Sequence, residues 1–134
     1  MRALIYSAYY EPEIAASLYL STNLYEDIAK SGTTVSLYVP TPTRGVSDEA
    51  RKIYSTRKKI EYKCDGRLTI KRVSIPREGK SAIKRAFRYL LVNTVFIIKS
   101  FSEKPDYIFV QSTPPTQGAM AAIIKKIKNV PLIY

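Results

Sequence analysis

Short apolar runs rich in β-branched residues alternate along this chain with segments of helical period, and the alternation leaves few folds open. Arg2–Ser7 reads as a first strand, followed by a polar and aromatic loop, Ala8–Ile14. A helix is predicted from Ile14 to Lys30. Leu20, Leu24 and Ile28 recur there every four residues, with Ala16 and Tyr25 beside them on one apolar face. Ser31-Gly32 ends it, glycine being suited to a left-handed cap. Thr33–Val39 reads as a second strand, stopped by Pro40-Thr41-Pro42 because proline lacks the donor a ladder needs. Thr43–Lys59 is polar and irregular, with a helical turn at Asp48–Ile53, and is long for a connection in a compact domain. Ile60–Cys64 and Leu68–Ile75 flank Asp65-Gly66, a pair that favours a two-residue hairpin loop. Lys80–Phe101 reads as the longest helix, basic in its first half and apolar in its second. Tyr107–Gln111 reads as a buried strand, Gly118–Lys128 as a helix and Leu132–Tyr134 as a short further strand.

This order predicts an α/β fold: an open, mostly parallel sheet with helices on both faces and a β-hairpin near 60–75. Right-handed crossovers put Tyr107–Gln111 beside the first strand, on the side away from the second. The loops Ala8–Ile14 and Ser112–Gln117 then face each other where the strand order reverses, the place where open α/β sheets bind ligands. The 134 residues fit one domain. The terminal strand near Leu132 offers an unpaired edge. The expectation is therefore the front part of a larger protein, the alternative being a complete small α/β domain with a short last strand, and self-association through that edge.

Composition narrows the chemistry. The chain has no histidine, so Ser-His-Asp and Cys-His pairs and Cys/His metal sites are excluded. No Gly-x-Gly-x-x-Gly or P-loop pattern follows the first strand, which removes the standard nucleotide fingerprints. Cys64 is the sole cysteine, so no intramolecular disulfide forms and a reducing compartment is expected. The start has neither the apolar run nor the small-residue site of a secretory leader, and no apolar stretch reaches transmembrane length. Twenty-two Lys and Arg against 11 Asp and Glu give a net charge of +11, which favours nucleic acid, an anionic membrane surface or phosphate-bearing ligands.

Two loops are the candidate sites. In the first, Glu13 precedes the predicted helix, where a carboxylate caps free amides; alternatively Glu13 and the tyrosines of the loop, Tyr9 and Tyr10, line an acceptor pocket, tyrosine offering a flat face and a hydroxyl. Ala15, Ala16 and Ser17 are small enough for a phosphate to approach the helix N-terminus, though close helix–sheet packing demands small residues too. In the second, Ser112 and Thr116 carry hydroxyls after a strand's carboxyl end, stiffened by Pro114-Pro115. The basic, apolar helix Lys80–Phe101 either covers the sheet or touches a membrane.

These stretches resemble a known family. Tyr9-Tyr10-Glu11-Pro12-Glu13-Ile14-Ala15-Ala16-Ser17 is similar to the first-loop motif of family 4 glycosyltransferases, commonly Tyr-x-Pro-Glu-x-Gly-Ala. Lys30-Ser31-Gly32-Thr33-Thr34-Val35 resembles that family's second unit, and 105–115 its Pro-Asp, apolar strand, Ser-Pro-Pro pattern. Val130-Pro131-Leu132-Ile133-Tyr134 resembles the strand that follows. The sequence departs from the family at Ala15, where glycine is common, and at Gln111-Ser112, where many members carry a functional histidine.

The resemblance implies a Rossmann-like, acceptor-binding N-terminal domain of a GT-B glycosyltransferase of the bacterial surface-polysaccharide type, inactive alone. The whole enzyme, a hexosyltransferase, would move a sugar from a nucleotide sugar to a lipid-linked or saccharide acceptor. The expected location is the cytoplasm, at the inner face of the plasma membrane. No cofactor is expected in this chain, since the nucleotide-sugar donor would bind mainly the C-terminal domain. Tyr10, Glu13, Ala16, Ser17, Ser112 and Thr116 would line the acceptor cleft. Glu13 would orient acceptor hydroxyls, and Ser112 and Thr116 would hydrogen-bond sugar or phosphate oxygens; no catalytic residue is singled out. The competing reading is a non-enzymatic basic module that binds nucleic acid or another anionic partner. Against nucleic acid, the basic residues are scattered and no known recognition motif appears.

Overall fold

A computed structural model describes residues 1–134 except Glu78, Ser112 and Thr113. Six strands, β1 (Arg2–Tyr6), β2 (Thr34–Pro40), β3 (Ile60–Lys63), β4 (Leu68–Val73), β5 (Tyr107–Val110) and β6 (Leu132–Ile133), form one sheet in the order β3-β4-β2-β1-β5-β6. Every pairing is parallel except the β3–β4 hairpin. Strand β1 lies between β2 and β5, with Ile5 opposite Leu37 on one side and Phe109 on the other. The chain runs outward from β1 to β2 and returns to β5, so the strand order reverses at β1. This is the Rossmann-like, mostly parallel α/β sheet that the alternation predicts.

Successive side chains of a strand point to opposite faces, and β1 feeds two cores. Leu4 and Tyr6 pack with Val92, Phe96, Met120 and Ile124 of α3 (Ala82–Ser100) and α4 (Thr116–Lys128). Ala3 and Ile5 pack on the other face with Tyr25 and Ala29 of α1 (Leu18–Lys30). Helices therefore cover both faces. Tyr6 and Phe96, with ring centroids 5.0 Å apart, fill the centre of the first core.

The structure corrects several boundaries. Helix α1 begins at Leu18, not near Ile14, because Ser17 adopts left-handed φ/ψ of 62° and 8°. Its buried face is Thr22, Tyr25 and Ala29, with Ile28 half-buried beside them, so Tyr25 and Ile28 of the expected face pack on the sheet while Leu20 and Leu24 are exposed. Both stripes have helical period. The one that wins carries small residues, which let the helix sit close to the sheet, and a tyrosine that stacks on Tyr10 and meets Phe109 edge-on. The turn at Asp48–Ile53 is a full helix, α2 (Asp48–Ser55), capped by Ser47 Oγ, which accepts from Ala50 N at 3.1 Å. Between β3 and β4 the loop has four residues rather than two. Asp65 and Gly66 take the positive φ expected of them, but Cys64 does so as well, at 52°, which ends pairing at Lys63 opposite Leu68.

Helix α3 starts where Ser81 Oγ accepts from Lys84 N at 3.2 Å. Among the described residues no helix is long and apolar enough to cross a membrane.

Candidate functional site

A crevice of about 750 Å³ opens at the carboxyl ends of β1 and β5, at the point of strand-order reversal. One wall is the turn from β1 into α1, with Tyr9, Ala15, Ala16, Ser17 and Ser21. The other is Phe109, Val110 and Gln111 at the end of β5, with Ile133 and Tyr134 beyond. Arg44, from the loop after β2, reaches its rim. Gly118 sits against Tyr134, and a Cβ there would lie 2.8 Å from the ring.

The first wall is held from three sides. Ser7 Oγ donates to Tyr9 O at 2.7 Å. Arg72, buried under the loop, donates through Nη2 to Glu11 O at 2.6 Å and ion-pairs with Glu61 at 3.0 Å. Glu13, 5% exposed, accepts from Thr43 N at 2.8 Å and Arg44 N at 3.3 Å through Oε1, and from Tyr10 N at 3.3 Å through Oε2. Ile14 N completes the tie by donating to Arg44 O at 3.2 Å. The loops after β1 and β2 are thus clamped together around one carboxylate.

That clamp decides the fate of the sequence candidates. Ala16 and Ser17 line the crevice. Glu13 does cap amides, but those of the loop after β2 and of Tyr10 rather than those of α1, and its oxygens face the protein instead of the crevice. Tyr10 is 1% exposed and stacks on Tyr25 in the core, so the pocket-lining role falls to its neighbour Tyr9. Burial pushes the Tyr10 hydroxyl up to about 12, with Lys63 acting in the opposite direction. Thr116, the first residue of α4, is exposed and is not among the crevice-lining residues. Ser112 lies outside the described residues.

Sequence reasoning missed several polar lining residues, among them Arg44, Ser21 and Gln111. Arg44 stands in a segment read as irregular loop, yet its guanidinium lies 4.3 Å from the centroid of the Tyr9 ring. Ser21 lies one turn into α1, and its Oγ accepts from Gln111 Nε2, bridging the two walls. The signal for Gln111 was its place directly after a strand's carboxyl end. Tyr9 itself shares a hydroxyl–hydroxyl bond of 3.2 Å with Tyr89 of α3.

The crevice can do two things chemically. Tyr9, Phe109 and Tyr134 offer flat apolar faces, while Ser17, Ser21 and Gln111 offer hydroxyl and amide groups that suit a polyhydroxy ligand. Arg44 adds a cation able to meet an anionic group. Among the described residues no group of three His, Cys, Asp or Glu side chains comes together to hold a metal ion.

The sequence matches no protein-family model, and a search of curated proteins finds no match.

Proposed function

We propose that this chain is the acceptor-side domain of a family 4 glycosyltransferase. In the complete enzyme a sugar passes from a nucleotide sugar, held mainly by a partner domain, to a lipid-linked or saccharide acceptor in polysaccharide synthesis. The observation that carries this reading is the crevice at β1 and β5, where the Tyr-x-Pro-Glu-like loop presents small and hydroxyl side chains opposite aromatic rings. Aromatic faces pack on the apolar side of a sugar ring, and hydroxyl and amide groups meet its edge. Arg44 would meet the phosphate of a lipid-linked acceptor. Glu13 and Arg72 act one step removed, by fixing the wall that Ala16 and Ser17 belong to.

Nuclear magnetic resonance titration of the isotope-labelled chain with a short-chain prenyl diphosphate sugar tests this. Shifts confined to Tyr9, Ala16, Ser17, Ser21 and Gln111 support the reading. Shifts elsewhere, or none at millimolar ligand, overturn it. A parallel titration with duplex DNA and RNA tests the competing module. Micromolar binding that collapses between about 50 and 200 mM salt would favour that reading instead.

A further inference from the structure

Asp48, Arg51, Lys52 and Ser55 are spaced on α2 so that they share one face of the helix. That face lines a cavity of about 600 Å³ at the carboxyl ends of β2 and β4. The opposite wall is the chain that leaves β4, Ser74, Ile75 and Pro76, with Thr41 from the end of β2. The cavity shares no lining residue with the crevice at β1 and β5. Among the described residues that line it, Asp48 carries the one carboxylate, and Arg77 already takes it in an ion pair.

Two guanidinium groups at this wall have no counter-charge. Arg51 Nη2 donates to Ile75 O at 2.7 Å, and Arg88 of α3 donates through Nε to Pro76 O at 3.1 Å. Arg88 is 2% exposed, and neither arginine has a carboxylate partner among the described residues. Arg51 Nε and Arg88 Nη2 are buried with no hydrogen-bond partner among them either. A carbonyl oxygen satisfies a guanidinium hydrogen but does not cancel the charge, and a buried charge with no opposite one is costly. Burial first, then the charges of Arg77 and Arg88, lower the Arg51 pKa, with Asp48 acting in the opposite direction. Lys52, exposed on the same face of α2, adds a further cation. The wall is thus short of negative charge, and an anion in the cavity would supply it.

We propose that this cavity is a binding site for the phosphate group of a phosphate ester, held by Arg51, Lys52 and Ser74. A guanidinium presents paired donors that match phosphate oxygens, and a lysine adds a point charge. The hydroxyls of Thr41 and Ser55 already donate to Val73 O and Lys52 O, which leaves that of Ser74 to meet the anion. Arg88 lies behind Pro76 and acts through its field rather than by contact. The cavity is about twenty times the roughly 30 Å³ share of one water molecule, which suits an ester better than the bare ion. The proposal goes beyond the glycosyltransferase reading and uses none of the residues on which that reading rests.

Inorganic phosphate and glycerol 1-phosphate are titrated into the isotope-labelled chain at fixed ionic strength, with sodium chloride as the blank, and followed by nuclear magnetic resonance. The expected result is a saturable shift of the Arg51, Lys52, Ser74 and Ile75 signals that chloride does not produce. The dissociation constant should lie below about 1 mM for glycerol 1-phosphate and above that for phosphate. Arg51→Gln should weaken binding at least about tenfold, since it removes a charged donor. That variant also loses the bond to Ile75 O, so Lys52→Gln, at an exposed position with no role in packing, is the second test. It should keep the parent's circular dichroism and bind about threefold more weakly or worse. Lys126→Gln, exposed on α4, is the control and should bind like the parent. No saturable shift with either phosphate at about 10 mM overturns the proposal, and so does a Lys52→Gln variant that binds like the parent. Equal affinity for the two probes overturns the assignment to an ester and leaves a site for the free ion. No nucleotide or lipid-linked sugar enters the assay, so its failure and the failure of the glycosyltransferase reading are separate results.

Discussion

Replacing Glu13 by alanine removes the carboxylate that ties the two loops at the head of the sheet. Three amides lose their acceptor: Thr43 N at 2.8 Å, Arg44 N at 3.3 Å and Tyr10 N at 3.3 Å. A hydrogen bond to a charged group contributes about 1.5–3 kcal/mol, and a buried donor left unmet costs about 1–3 kcal/mol. Only the Thr43 bond is short. Thr43 and Arg44 lie near the surface, where water can replace part of what is lost, while Tyr10 is buried. The sum for Glu13→Ala is about 2–3 kcal/mol. Glu13→Gln keeps one oxygen for Thr43 and turns an NH₂ group toward the Tyr10 amide, which lowers the cost to about 1 kcal/mol. With a urea slope of about 2 kcal/mol/M, the alanine variant should unfold roughly 1–1.5 M earlier and the glutamine variant about 0.5 M earlier. Hydrogen exchange should show selective loss of protection at the Thr43 and Arg44 amides while the β1 amides keep theirs. A midpoint for Glu13→Ala within about 0.2 M of the parent, with unchanged exchange at Thr43 and Arg44, refutes the clamp.

Other outcomes follow from the same geometry. On α1, Tyr25→Ala should cost about 3–5 kcal/mol as a core truncation, and Leu20→Ser less than about 0.5 kcal/mol, read by chemical denaturation; the reverse ranking would restore the leucine face. Burial tends to raise the Glu103 carboxyl, but hydrogen bonds and charge from Lys71, Tyr38 and Ser36 outweigh it and hold the pKa below the usual range. Its stabilisation is therefore present above an unfolded pKa of about 4.3 and is lost as pH falls through the lower folded value. Glu103→Gln should flatten the acid limb of a stability-versus-pH curve below about pH 4.3. Burial raises the hydroxyls of Tyr6, Tyr10, Tyr25 and Tyr38 above the ordinary phenol range. Their contribution is full below about pH 10 and is lost as pH rises further, so absorbance titration should show a late phase coincident with unfolding. Gly118→Ala should raise stability by up to about 1 kcal/mol through helix propensity, because the exposed Tyr134 ring it meets can swing aside; a fall in melting temperature would show that the ring is fixed.

Much of the fold was legible from local chemistry. Short apolar runs rich in β-branched and aromatic residues placed β1, β2 and β5, Asp65-Gly66 placed the hairpin, and right-handed crossovers placed β5 beside β1. The candidate site was legible only as a place. That a crevice forms after β1 follows from topology, and Ala16 and Ser17 line it. Which neighbouring side chains turn into it was not legible. Tyr9 and Tyr10 are adjacent aromatics of the same type, and only the packing of Tyr25 beneath the loop sends Tyr10 inward and leaves Tyr9 on the wall.

The sequence by itself determined the α/β class, the place of β1 between β2 and β5 and the end of the sheet where the crevice opens, because local composition, turn residues and chain chirality act over a few residues at a time. Tertiary structure alone decided which of two helical stripes on α1 faces the sheet, what Glu13 holds and how much of α3 stays bare. Each of these is a choice between locally equivalent options, settled by partners distant along the chain: Tyr10 and Phe109 around Tyr25, Thr43 and Arg44 around Glu13, and Tyr6 and Tyr38 of the sheet against Phe96 of α3.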